Sequence, residues 1–310
     1  VVVGKALENG YRDKVFLATK SPIFDVEKTE DLDRFLDEQL SKLQTTHIDF
    51  YLLHCLQAKY WPRMQDLGVF DWADRARDDG RIGEFGFSFH DSYDVFRQIV
   101  DGYDWSFCQI QYNLVNEDVQ AGTKGLKYAA DKGLAVVIME PLFGGTLANP
   151  PQPVWEIWQE SEHRPADLAL RWLWDKPEVS LVLSGMSTLE QVRQNIESAH
   201  RSGIGWLDEE ERELLHRVRE RYQELSPIPC TKCGYCVPCP NGVNIPLNFE
   251  LFNNATVFKG SSNTLCRNLY IGLPESERAQ ACEECGTCEE QCPQSIEVGK
   301  LMKRVAEEFS

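Results

Sequence analysis

Six short apolar runs, rich in β-branched and aromatic residues, recur along the first two-thirds of the chain. They lie at 15–19 (VFLAT), 48–53 (IDFYLL), 82–88 (IGEFGFS), 107–111 (FCQIQ), 135–139 (AVVIM) and 179–183 (VSLVL). Between them, apolar residues fall at helical spacing near 29–43, 66–79, 92–100, 121–132, 166–174 and 189–199. This alternation predicts parallel strands joined by crossover helices. Runs apolar on both faces are what a parallel sheet needs. A closed (β/α)8 TIM barrel requires eight strands. Six are visible, and residues 1–7 read as the end of a helix. The expected fold is therefore a TIM barrel of the α/β class whose first two strands lie upstream of Val1, the alternative being an open barrel.

A further helix is predicted over 208–225, opened by Asp208 and Glu211 as a capping box. Ser226-Pro227-Ile228-Pro229 then breaks the pattern. The expected division is a barrel over 1–225 and a small α-helical ferredoxin-like domain over 226–310, held close by the short linker.

The second segment carries eight of the eleven cysteines. They form two runs, Cys230-x2-Cys233-x2-Cys236-x2-Cys239-Pro240 and Cys282-x2-Cys285-x2-Cys288-x3-Cys292-Pro293. The second run has the bacterial ferredoxin spacing, in which three close thiolates hold one [4Fe–4S] cluster and the fourth reaches the other. Two structural zinc sites or four disulfides are the rival readings. Zinc knuckles usually separate their cysteine pairs by a longer loop, and the spacing favours iron–sulfur. Each run is followed by a short loop and an apolar stripe (CPNGVNIPLNFEL, CPQSIEVGKLMKRV), a pseudo-repeat that suits two half-modules exchanging their fourth ligands. On that model one cluster takes Cys230, Cys233, Cys236 and Cys292, and the other takes Cys282, Cys285, Cys288 and Cys239. The gap of two before Cys239 is one shorter than the ferredoxin spacing. Cys55, Cys108 and Cys266 are read as ordinary thiols.

Composition narrows the partners. A net charge of −17 over 310 residues argues against nucleic acid and anionic membrane, and favours a basic redox protein. No apolar run approaches a membrane span, no signal peptide is visible, and reduced thiolates suit the cytoplasm.

In a TIM barrel the chemistry sits at the C-terminal ends of the strands. Here those ends carry Lys20, His54, Ser88 with His90, Gln109 with Tyr112 and Asn113, the loop 140–145 and the segment 184–195. Taken alone, Lys20 reads as a rim residue and His54 as a core histidine. Their occurrence on neighbouring strand ends points to a site.

In order, ATK, DFYLLH, GFSFH, QIQYNL, EPLFGG and GMSTLEQVRQN resemble the aldo-keto reductases. More narrowly, with CTKCGYCVPCPNGVNIP and CEECGTCEEQCP the chain resembles members that carry a C-terminal ferredoxin-like extension. The resemblance spans essentially the whole chain. It implies carbonyl reduction with a nicotinamide cofactor by an Asp–Tyr–Lys–His tetrad. Lys20 and His54 match the last two members, and the Asp and Tyr would precede Val1. It implies that Ser88 and Gln109 hold the nicotinamide carboxamide. Leu142 and Gly144 would lie along the cofactor, and Ser187, Gln191 and Asn195 would hold the adenosine half. Phe89 stands where many members have Asn. Arg193 is the cation nearest a 2′-phosphate, and NADP is expected over NAD.

The implied function is an NAD(P)H-linked oxidoreductase of aldehydes, ketones or the corresponding alcohols, with two [4Fe–4S] clusters relaying electrons to or from a partner or the active site. The alternative is a catalytically retired barrel serving electron transfer or docking.

Overall fold

The computed structural model describes residues 1–310 apart from 229, 231, 233, 258–260, 293 and 294, and apart from the side chains of 261 and 262. By its contacts the chain divides into two units. The first comprises 1–141, 172–192 and 202–205, and the second 142–171, 193–201 and 206–310.

The first unit is built on one six-stranded sheet in the order β1–β6, every neighbouring pair parallel. The strands are β1 (Ala18–Ser21), β2 (Ile48–Leu56), β3 (Ile82–Phe89), β4 (Phe107–Gln111), β5 (Ala135–Met139) and β6 (Val179–Val182). Short α1 (Val2–Ala6) precedes them, and α2 (Thr29–Leu43), α3 (Trp61–Asp66), α4 (Val69–Asp78), α5 (Tyr93–Val100) and α6 (Gly122–Asp131) connect them. Strand-then-helix order with all-parallel pairing is the barrel-type α/β architecture the alternation predicts.

Side chains alternate across the sheet. Tyr51, Phe85, Phe87 and Phe89 are all fully buried. With Trp72, Phe96 and Trp105 they form an aromatic layer; Phe85 stacks on Trp105 at 5.3 Å, and Tyr51 meets Trp72 at 6.0 Å. The other face carries Gly86 and Ser88 of β3 beside Phe107 and Gln109 of β4. Gly86 is required there by crowding, because a Cβ would stand 2.5 Å from the Phe107 carbonyl oxygen.

Three elements differ from expectation. The first strand runs over Ala18–Ser21 rather than 15–19. Phe16 is 83% exposed, and pairing with β2 begins only at Ala18 opposite Phe50. The helix expected over 66–79 is α4, which begins only at Val69; a separate α3 precedes it, and Gly68 between them takes a left-handed φ of 65°. Finally, β2 runs on to Leu56 through an irregularity in its register with β3.

The second unit holds α7 (Gln152–Trp158), most of α8 (Pro165–Trp174), most of α9 (Leu189–His200), and α10 (Glu209–Glu224). Asp208 caps α10 as expected: its carboxylate accepts from Glu211 N–H at 2.8 Å, and Glu211 accepts from Asp208 N–H at 3.0 Å. Glu211 also pairs with Arg171 of α8, and Glu160 pairs with Arg217 of α10. Downstream lie α11 (Ile245–Val257), α12 (Ser261–Gly272), α13 (Thr287–Glu290) and α14 (Val298–Phe309). α11 packs on both α12 and α14. The apolar stripes after the two cysteine runs are thus the paired helices α11 and α14.

Candidate functional site

Register assigns the strand-end residues to a face. Lys20 lies opposite Leu52, Leu52 opposite Gly86, and Gly86 opposite Phe107. Two residues further along, Ser88 lies opposite Gln109. Lys20, Ser88 and Gln109 therefore share the face opposite the aromatic layer, and His54 follows Leu52 by two.

His54 is set by a bulge. Cys55 adopts φ 56°, and the β2–β3 register shifts between Leu53 and Leu56. Bulges re-aim a side chain at the cost of ladder hydrogen bonds. Here the Cys55 N–H recovers one by donating to the Ser88 hydroxyl at 2.8 Å. His54 is exposed, its ring edge-on to Phe24 at 5.3 Å. Its pKa is lowered by partial burial and by the Lys20 ammonium, so the ring stays neutral near pH 7. Burial lowers Lys20 as well.

A third titratable group joins these two. His90 follows the end of β3, its backbone latched by Gln57 Nε2 donating to its carbonyl at 2.8 Å. Its Nδ1 is buried without a hydrogen bond. Burial pushes its pKa down to about 4, with Gln120 opposing and His54 and Lys20 adding to the fall. Lys20, His54 and His90 thus sense one another electrostatically, although they are 34 to 70 positions apart in sequence.

The two residues expected at a carboxamide are buried and already engaged. Ser88 is 1% exposed and accepts from Cys55. Gln109 Nε2 donates to Met139 Sδ at 3.1 Å, a weak acceptor. Asn113, fully buried, stabilises the loop after β4: its Nδ2 donates to the Glu140 carbonyl, and its Oδ1 accepts from Val115 and Asn116 N–H.

Leu142 and Gly144 lie in a turn where Phe143, Gly144 and Gly145 all have positive φ. Gly145 and Leu147 N–H donate to the Leu142 carbonyl. α9 begins at Leu189, as expected. Its cap is Thr188, whose hydroxyl accepts from Gln191 N–H at 3.2 Å. Gln191 Oε1 accepts from Ser187 N–H at 2.7 Å and Thr188 N–H at 3.3 Å. The amides of Ser187 and Thr188 are thus satisfied within the chain by Gln191. Asn195 follows within α9, half-buried.

In the cysteine module, Cys233 and Pro293 lie outside the described residues. Cys230, Cys236 and Cys292 line one small recess, partly open to solvent, with Lys232, Gly234 and the apolar Ile245, Pro246, Phe249, Ile296 and Val298. Cys292 belongs to the second run, so the two runs meet at this recess. Cys288 is raised by burial and then by negative charge at Cys282, Glu289 and Cys239, so Cys239 of the first run stands with thiols of the second. Cys285 is exposed, and its thiol is held down by the Thr287 backbone and hydroxyl. Cys239, Cys282, Cys285, Cys288 and Cys292 are all unbridged. Among the described residues no three His, Cys, Asp or Glu side chains converge tightly enough to share a single metal ion. A recess whose ligating side chains are thiols, set among apolar walls and one lysine, suits a soft, sulfur-ligated centre.

Sequence reasoning did not single out Lys232 or its ion pair with Glu250 of α11, at 3.5 Å. The available signal was a basic residue inside a cysteine run.

Comparison with known proteins bears on the family and the fold. The family model "Aldo/keto reductase family" matches residues 1–204, and "4Fe-4S dicluster domain" matches 229–297. An uncharacterized oxidoreductase of Schizosaccharomyces pombe is 25% identical over 160 residues, covering 52% of this chain and 50% of that protein. The chain thus spans half the length of that curated relative. The uncharacterized oxidoreductase YrpG of Bacillus subtilis is 24% identical over 259 residues, 70% of this chain and 76% of that one. An aldo-keto reductase from Bacillus halodurans, in its holo form, superposes with a TM-score of 0.58 at 21% identity, covering 70% of this chain and 76% of its own. The chain belongs to the aldo/keto reductase family and carries a C-terminal iron–sulfur domain.

Proposed function

We propose that the chain is an NAD(P)H-linked oxidoreductase of aldehydes or ketones, or of the corresponding alcohols, whose C-terminal domain (226–310) holds two [4Fe–4S] clusters. The observation that carries the reading is the electrostatic grouping of Lys20 and His54 on neighbouring parallel strands. A bound nicotinamide supplies a hydride, and the clusters supply single electrons.

The residues of this chain have definable tasks. Negative charge grows on the carbonyl oxygen as hydride arrives, so donors aimed at it lower the barrier. His54, kept neutral by burial and by Lys20, offers an imidazole N–H to that oxygen. Lys20 supplies a fixed positive charge beside it. Gln109 can exchange its weak sulfur bond for a carboxamide, and Ser88 keeps a hydroxyl proton to donate. The positive-φ turn at Gly144 and Gly145 lets backbone approach a pyrophosphate, with Leu142 beside it. Ser187, Gln191 and Asn195 are assigned to the adenosine half.

The cysteine sets follow the meeting of the two runs. Cys230, Cys233, Cys236 and Cys292 hold the first cluster; Cys239, Cys282, Cys285 and Cys288 hold the second. The acidic chain suits a basic redox partner, and reduced thiolates suit the cytoplasm.

The retired-barrel reading draws on one observation: Ser88 and Gln109 are both satisfied within the protein. Oxidation of NADPH by short aldehydes, measured on anaerobically purified protein, separates the two. Turnover that falls at least about a hundredfold in Lys20→Met supports catalysis. NADPH binding without turnover favours the retired barrel. Metal analysis finding zinc and no iron would sink the cluster assignment.

A further inference from the structure

The two cysteine half-modules repeat their backbone and invert their charges. Lys232 is the second residue between Cys230 and Cys233; Glu284 is the second between Cys282 and Cys285. Both take the left-handed conformation, φ 55° and 53°, and each is followed two residues on by a left-handed glycine, Gly234 at 81° and Gly286 at 78°. Neither Lys nor Glu favours that region, so the loop geometry dictates it. The side chains reach equivalent partners. Lys232 pairs with Glu250, the sixth residue of α11, at 3.5 Å. Glu284 pairs with Lys303, the sixth residue of α14, at 2.7 Å. One half-module therefore carries its cation on the cysteine loop and its anion on the helix, and the other has the reverse.

The surroundings accentuate the difference. Lys232 lines the recess with Cys230, Cys236 and Cys292, whereas Glu250 does not. The Lys232 and Glu250 side chains are 31% and 10% exposed, so water screens them little. On the other side Lys303 lies along Cys282, but at 64% exposure it is well screened, and Glu284 is 48% exposed. Glu283, Glu289 and Glu290 add further exposed negative charge around the second run.

We propose that Lys232, a shielded cation beside the first cluster's cysteines, separates the reduction potentials of the two clusters and makes the first the easier to reduce, because the inverted pair beside the second, Glu284 and Lys303, is exposed and screened on both sides. The inference rests on the two-cluster reading above. Reduction adds one negative charge to a cluster, and a nearby ammonium favours that state while a carboxylate opposes it. The cluster bound by Cys230, Cys233, Cys236 and Cys292 is then the resting place of the first electron. The more exposed cluster, reached through Cys285, is the one facing external donors or acceptors.

The test is a mediated redox titration of the anaerobic holoprotein with dithionite, read by EPR, with iron counted per chain. Wild type should show two one-electron steps. Lys232→Gln should lower the higher midpoint by at least about tenfold in the reduction constant, roughly 59 mV. Lys232→Arg should keep it near wild type. Glu284→Gln, in the exposed and screened pair, should move the lower midpoint by less than Lys232→Gln moves the higher one. If Lys232→Gln does not retain iron, Glu250→Gln replaces it and should raise the higher midpoint. Two intact clusters whose higher midpoint is unmoved by Lys232→Gln or Glu250→Gln, or moved in the opposite sense, overturn the proposal. Wild-type protein with zinc or a single cluster overturns the two-cluster reading instead.

Discussion

At the strand ends of the first unit, ionisable side chains are mounted on backbone that is ordered by the sheet. In the cysteine module, thiols are mounted on loops between helices, with few strands or long apolar stretches to order them. Lys20 and His54 owe their positions to parallel register and to one bulge. Cys230, Cys236 and Cys292 owe theirs to a recess formed where two short repeats meet. The comparison teaches where stability comes from. The sheet draws on buried aromatic packing, whereas the module joins its own apolar core, with Phe249, Phe252, Met302 and Val305 buried in it, to what its thiolates bind.

The sharpest way to break this contrast is to remove one shared ligand. Cys292→Ala should cost about half the iron per chain and loosen α11 and α14, read by iron analysis and circular dichroism. A first-unit unfolding transition that shifts equally would erase the distinction. Conversely, Trp72→Ala should destabilise the sheet unit by about 3–5 kcal/mol in denaturant titration, because Trp72 is fully buried against Tyr51 and Phe85. Iron content should not change.

A pH experiment sharpens the strand-end side. The folded His90 has a pKa of about 4, below the unfolded value near 6.5, so the unfolded chain binds the proton first. Stability from this residue is complete above about pH 6.5 and is lost as pH falls toward 4, by on the order of 3 kcal/mol at full extent. His90→Phe should flatten that part of the stability profile; an unchanged slope would mean that His90 is not held neutral. A smaller effect is expected at the start of α9, where Thr188→Ala should cost about 1 kcal/mol, visible as faster amide exchange in its first turn. The subtlest concerns Lys20→Met, which should raise the His54 pKa in an NMR titration by removing the neighbouring cation.

Much of the architecture was legible in periodicity. The helix over Thr29–Leu43, the strands Phe107–Gln111 and Ala135–Met139, and the cap of α10 agree with expectation because each is specified by local pattern. Where local pattern and packing compete, packing prevails. VFLAT looks like a strand, yet its first residues are exposed and pairing starts at Ala18. α7 and α12 were not foreseen: PQPVWEIW opens with two prolines in three residues, and SSNTLCRNLYIG has no clean apolar stripe. At the candidate site the residue types were readable, but their engagements were not. Ser88 was read as a ligand-binding hydroxyl, and its contact with the Cys55 amide depends on a bulge in another strand.

By itself the sequence determined the alternation that builds a parallel sheet, the residue types at its strand ends, and two cysteine runs whose spacing calls for iron and sulfur. These are local properties, readable within a few turns of chain. Tertiary structure alone decided that His90 joins Lys20 and His54, that Cys292 faces Cys230 and Cys236, and that Lys232 and Glu284 carry opposite ion pairs on the same loop geometry. Each depends on residues tens of positions apart, and their meeting is governed by strand register and helix packing rather than by any periodicity along the chain.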